Sequence, residues 1–108
     1  MINGKKICLY VDDDAVNRNP PDDGNRWVRA FNAHRALAAL ELFEYDIVSL
    51  DHDLASFYGN KELTGRDILS WMIEEHVTKG RFKNTLVRVH SANPVGRKTM
   101  QEDIDRFF

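Results

Sequence analysis

The sequence predicts a small α/β domain: an open parallel sheet of about four strands with flanking helices, the first helix reduced to a loop, and no fifth strand. Three observations predict it. Four short apolar runs lack helical spacing and read as buried strands. Segments with apolar residues at helical spacing, bracketed by capping residues, lie between the later ones. Strands that alternate with helices imply right-handed crossovers and therefore parallel pairing.

The first strand is Lys6-Ile7-Cys8-Leu9-Tyr10-Val11, apolar almost throughout and stopped by Asp12-Asp13-Asp14. From Asp12 to Asn25 the chain holds Pro20, Pro21 and Gly24 among Asp and Asn residues, a loop by composition. Trp27 to Phe31 forms a second short strand. Asn32 caps a helix on which Ala33, Ala36, Leu37, Leu40 and Phe43 share a face. Asp46 to Leu50 is a third strand, ending at Asp51-His52-Asp53, and a polar loop runs on through Gly59 and Asn60. Thr64-Gly65-Arg66-Asp67 fits a capping box. Ile68, Leu69, Met72, Ile73 and His76 line one face of the helix behind it, and Gly80 closes that helix. Leu86-Val87-Arg88-Val89 is the fourth strand, ending at His90-Ser91. Asn93-Pro94 opens the last helix, with Met100, Ile104, Phe107 and Phe108 on one side.

A chain of 108 residues is one domain of ordinary size, residues 1–108. With 43% hydrophobic and 30% charged residues it reads as a globular protein. No apolar run reaches the ~18 residues of a membrane span, and the Met1-Ile2-Asn3-Gly4 start reads as lacking a signal peptide. The single Cys8 sits in an apolar run and reads as a buried thiol in a reducing compartment, hence a cytoplasmic protein. The net charge of −2 argues against holding nucleic acid by bulk charge. A local site for a small phosphate-bearing ligand remains compatible with that charge.

In open α/β sheets ligands bind beyond the carboxyl ends of the strands. The residues collected there are Asp12 and Asp13, then Asp51, His52 and Asp53, then His90 and Ser91. Carboxylates brought together repel unless protonated or neutralised by a cation. Oxygen donors favour magnesium or manganese over zinc, with Asp12, Asp13, Asp51 and Asp53 as ligands. His52 and His90 are the expected proton carriers. Ser91 joins Asp51, His52 and His90 as a candidate catalytic residue, to contact a phosphate oxygen or to act as nucleophile, the second being the weaker option because no nucleophile elbow surrounds it. Asp14, Asp22 and Asp23 read as turn residues, and His34 and His76 as structural. Arg97 and Lys98 lie in the first turn of a helix, where the dipole disfavours cations unless an anion binds. With Asn93 there, and Thr64 and Arg66 at the preceding helix, they are the expected phosphate contacts.

Several strings, in order across nearly the whole chain, resemble one small family. They are Tyr10-Val11-Asp12-Asp13, a proline before Trp27, Ser49-Leu50-Asp51-His52-Asp53-Leu54, Thr64-Gly65-Arg66-Asp67 and Val89-His90-Ser91-Ala92-Asn93-Pro94-Val95-Gly96. The family is the receiver-like domain named for cyclic-phosphate processing, a minimal variant of the flavodoxin-like response-regulator receiver. The resemblance implies that Asp12 and Asp13 hold a divalent cation, that Asp51 is the acceptor-like aspartate, and that Ser91 stands where receivers keep a hydroxyl. It also implies an arginine soon after the acidic pair. Here four residues, Asp14 to Asn17, intervene before Arg18. The receiver lysine at the end of a fifth strand has no counterpart, and Lys98 lies on a helix.

Two functions follow as expectations. One is a metal-dependent phosphoesterase acting on a cyclic or terminal phosphate of a nucleotide or RNA end, with water or Asp51 as the nucleophile. The other is a non-catalytic module that captures a phosphate-bearing nucleotide or a protein partner. A weaker reading rests on Asp12-Asp13-Asp14-Ala15-Val16, which fits the Asp-x-Asp-x-Val start of haloacid-dehalogenase-type phosphatases. The fourth strand is expected at an exposed sheet edge, so the chain is a monomer shielded by Arg88 and the last helix, or a homodimer.

Overall fold

The computed structural model describes residues 4–14 and 16–108. Met1 to Asn3, at the head of the segment read as carrying no leader, and Ala15, within the Asp-x-Asp-x-Val string, lie outside the described residues. The elements are β1 (Ile7–Val11), β2 (Arg26–Ala30), α1 (Ala33–Leu42), β3 (Ile47–Leu50), β4 (Ser56–Tyr58), β5 (Lys61–Leu63), α2 (Gly65–Lys79), β6 (Leu86–Val89) and α3 (Pro94–Phe107). β1, β2, β3 and β6 form one parallel sheet in the order β2-β1-β3-β6. The fold expected from the apolar runs is the fold observed.

Side-chain alternation divides the sheet. Ile7, Leu9, Val11, Ala30, Val48, Leu50 and Val87 point to one face. There they meet Ala33, Ala36 and Leu40 of α1, Ile68, Leu69 and Met72 of α2, and Met100 and Ile104 of α3. All three helices therefore pack on the same face. The opposite face carries Cys8, Tyr10, Trp27, Arg29, Ser49 and Arg88, and every residue of β1 is buried. Among the described residues the first connection, between β1 and β2, contains no helix and carries Pro20 and Pro21.

The caps are those the sequence marked. The Asn32 side chain accepts from Arg35 N at 2.8 Å. Thr64 and Asp67 make a reciprocal capping box, and Gly80 ends α2 in the left-handed region at φ 70°. The Asn93 side chain accepts from Gly96 N at 3.1 Å, with Pro94 as the first residue of α3. His76 is structural, its Nδ1 2.7 Å from Arg81 O and its ring stacked on Phe108.

Three details differ from expectation. The polar stretch after Asp53 is not all loop: Ser56–Tyr58 and Lys61–Leu63 pair as an antiparallel hairpin across Gly59-Asn60. The Ser56 hydroxyl accepts from Ala33 N at 3.0 Å and His34 Nε2 lies 2.8 Å from Phe57 O, tying the hairpin to the start of α1. β2 begins one residue earlier than expected and ends at Ala30, leaving Phe31 exposed. Met100 and Ile104 are buried, whereas Phe107 is exposed beneath Arg106. Among the described residues no helix is long and apolar enough to cross a membrane.

Candidate functional site

Parallel register brings the ends of β1, β3 and β6 to one edge. Val11 lies opposite Leu50, and Leu50 opposite Val89, so Asp12, Asp51 and His90 leave the sheet side by side. Backbone bonds carry the ladder one step further, from Asp51 N to Val11 O and from His90 N to Leu50 O, both 2.9 Å.

Asp12, Asp13 and Asp51 each offer a carboxylate oxygen, and these oxygens all lie within 4.8 Å of one another. Asp12 is 4% exposed and Asp51 6%, while Asp13 faces solvent. Burial, and then the charge of Asp12, push the Asp51 carboxyl above its ordinary range. The His52 N–H, at 2.9 Å, and the Ser91 hydroxyl both donate to Asp51 and partly offset this. The donor set suits a hard divalent cation: three carboxylates, two of them on buried residues, and no thiolate.

The cation that the protein does supply comes from the loop. Arg18 Nη1 donates to His90 O at 3.1 Å and stands 3.7 Å from Asp12 and 4.0 Å from Asp51. Arg29 Nη2 donates to Arg18 O at 3.0 Å and holds the loop in place. Ahead of Arg18, the Asp14 carboxylate accepts from Val16 N and Asn17 N. Asp14 is thus a turn residue, as is Asp23, which accepts from Asn25 N and Trp27 Nε1.

The two site histidines differ. His90 Nε2 is 3.0 Å from Asp12 Oδ2 and Nδ1 is 2.6 Å from Ser49 Oγ. Its ring stacks on Tyr10 at 4.2 Å. A carboxylate only accepts, so Nε2 carries the proton. Burial lowers the pKa of the ring more than Asp12 raises it, which leaves it neutral with Nδ1 accepting from Ser49. Both nitrogens are engaged, and His90 links the Ser49 hydroxyl to the Asp12 carboxylate, which it orients. His52 is the opposite case. Its Nδ1 is 2.8 Å from Asp53 Oδ1, and among the described residues no protein group bonds its Nε2. Asp53 also accepts from Asn93 Nδ2 at 3.4 Å. Asp53, expected as a metal ligand, therefore stands outside the carboxylate group and beside His52.

Two glycines set the packing around these residues. A Cβ on Gly65 would stand 1.7 Å from Asp51 O, so α2 starts against the backbone of the acidic edge. A Cβ on Gly96 would stand 2.5 Å from the His52 ring, so α3 starts against the imidazole.

The expected phosphate contacts divide. Arg97 Nη1 is 3.5 Å from Ser91 O, at the rim of the site. Asn93 caps α3 and reaches Asp53. Thr64 is taken up by its capping box, and Arg66 pairs with Asp103 at 3.2 Å, joining α2 to α3. Lys98 lies in a groove between β6 and α3. Tyr10, Ser49 and Arg29 were not singled out by the sequence. Their signal was the alternation of β1, β2 and β3, which places them on the face that supports His90 and Arg18.

A parallel sheet with an acidic cluster at its carboxyl edge, an aspartate ending β3 and a hydroxyl after β6 defines a receiver-type α/β domain. The model of the cyclic-phosphate processing receiver domain matches residues 7–106, and the chain belongs to that family. Among solved structures it is similar to a response regulator protein from Burkholderia pseudomallei, with a TM-score of 0.58 and 19% identity. The match covers 92% of this chain and 55% of that one, so this chain spans about half the length of that protein. That structure contains a phosphorylated aspartic acid, a calcium ion and citrate. A comparison with curated proteins finds no match.

Proposed function

We propose that this domain is a divalent-cation-dependent phosphoesterase acting on a cyclic or terminal phosphate of a nucleotide or RNA end. The observation that carries the reading is the convergence of Asp12, Asp13 and Asp51 oxygens within 4.8 Å, two of them on buried residues. Those three residues would hold magnesium or manganese, and the bound ion would supply polarisation of the phosphoryl group. The similar response regulator structure contains a calcium ion, which supports a hard cation as the partner of this fold. The family's link to cyclic-phosphate processing supports the substrate class.

The chain's own residues supply the rest. Arg18 places a fixed positive charge beside Asp12 and Asp51, where charge develops on the phosphate oxygens. His52, oriented through Nδ1 by Asp53, has Nε2 free to move a proton. Gly96 leaves room for that ring, and Arg97 stands at the rim. His90 and Ser49 fix Asp12, and Ser91 fixes Asp51. Asp51 as the nucleophile is a variant of the same reading, supported by the phosphorylated aspartate of the related protein. The single buried thiol fits a cytoplasmic setting.

One observation favours a second reading. Both ring nitrogens of His90 are bonded to protein groups, Ser49 and Asp12, so this ring supports the acidic cluster and turns no free nitrogen toward a ligand. A module that captures a phosphate-bearing nucleotide or a protein partner without turnover needs the cation site and Arg18 but no proton carrier. Incubating the protein with magnesium or manganese and 2′,3′-cyclic, 3′,5′-cyclic and terminal phosphates, with chromatography of the products, separates the two. Turnover that is lost with chelator and in Asp51→Asn supports the enzyme. Ligand retained unchanged supports the module, and neither turnover nor binding overturns both.

A further inference from the structure

β6 is an edge strand with β3 as its neighbour in the sheet. In parallel pairing a residue turns both backbone groups to the same side. Leu86 N donates to Asp46 O and His90 N to Leu50 O, so the N–H groups of Val87 and Val89 face away from the sheet. Leu86 is 55% exposed on the same strand. Beside it lies a groove of about 600 Å³ between β6 and α3, lined by Val89, Pro94, Arg97, Lys98, Glu102 and Asp105, among others.

The charges along that groove are arranged against the helix. Arg97 and Lys98 stand at the start of α3, where its dipole is positive, and Glu102 and Asp105 stand toward the end, where it is negative. Among the described residues none of these four forms an ion pair, whereas Asp103, on the α2 side, pairs with Arg66. A helix running antiparallel alongside would oppose basic residues to acidic ones at both ends. A two-fold axis at an edge strand creates that arrangement, because two copies of one strand then pair antiparallel.

We infer that the β6–α3 edge is a self-association surface that takes a second copy of this chain. The two β6 strands pair through Val87 and Val89, and the sheets join into one of eight strands. The two α3 helices run antiparallel on the same side, with Arg97 and Lys98 of each facing Glu102 and Asp105 of the other. The inference does not need the proposed activity: both acidic clusters lie at the carboxyl ends, away from the strand centres, and Arg97 is the residue that the rim of the site and this surface share.

The test is light scattering of the full chain over a concentration series, with amide exchange read by NMR at low and high concentration. The expected mass at high concentration is twice 12.5 kDa. The amides of Val87 and Val89 gain protection with concentration. Lys98→Glu weakens association by ~tenfold or more, because like charges then oppose at both ends. Adding Glu102→Lys in the same chain restores it. These positions are exposed, and circular dichroism confirms that both variants fold. A mass of one chain at every concentration overturns the inference. So does a dimer in which Val87 and Val89 gain no protection, or one in which the double variant is no tighter than Lys98→Glu alone.

Discussion

Asp51 carries two opposed demands. Its carboxyl is buried beside Asp12 and pushed upward, so the negative charge costs stability until a cation shares it. Asp51→Asn removes the charge and keeps the shape. Without divalent ion this variant melts at a temperature equal to or above the parent. With magnesium or manganese the parent gains stability and the variant does not. Thermal melts with and without metal check both halves. The histidines make a second contrast. His52→Asn removes the ring whose Nε2 is free and lowers turnover by ~10²-fold or more, with cation binding unchanged. His90→Asn removes the group that orients Asp12 and weakens cation binding first, by ~10-fold. Metal titration beside single-turnover rates distinguishes the two effects.

At the scale of elements, the acidic edge depends on how closely α2 approaches it. Gly65→Ala places a methyl against the Asp51 backbone carbonyl, a contact that no rotamer change relieves. The expected loss is about 2 kcal/mol in denaturant unfolding, with weakened cation binding because Asp51 shifts. Gly96→Ala meets the His52 ring first, a side chain that can move, so turnover falls more than stability. The four strands and three helices were legible because each is an apolar run of the right period, bounded by Asn32, Thr64, Gly80 or Asn93. The β4–β5 hairpin was not legible from such a run, since its strands are three residues each and expose Phe57, Tyr58, Lys61 and Glu62. Its signal was the Gly59-Asn60 pair, with Gly59 at φ 61° as a tight hairpin turn requires. Asp12, Asp13 and Asp51 could be placed at one edge by topology alone. The roles of His90 and Asp53 could not, because they depend on contacts with Ser49 and His52 that only side-chain packing decides.

At the scale of the whole molecule, acid stability and thiol reactivity report the fold as a unit. The Asp46 carboxylate accepts from Ile7 N at 2.9 Å, which holds its carboxyl below the ordinary range. A carboxyl lowered on folding stabilises above its unfolded pKa, and that contribution disappears as pH falls through the folded value. Asp46→Asn therefore flattens the loss of stability below about pH 4, read from unfolding curves across that range. Cys8 is fully buried on the face opposite the helices, and burial raises its thiol pKa. The native protein resists a disulfide reagent at pH 8, and the thiol reacts in full once the chain is unfolded. Those tests report the packing, whereas cation binding reports the acidic edge itself. Calorimetric titration of manganese into the parent, Asp51→Asn and Asp53→Asn tests it most directly. One ion binding per chain, lost in Asp51→Asn and kept in Asp53→Asn, is the predicted result. Equal binding by the parent and Asp51→Asn, or no binding by the parent, would mean that the Asp12, Asp13 and Asp51 edge is not a cation site.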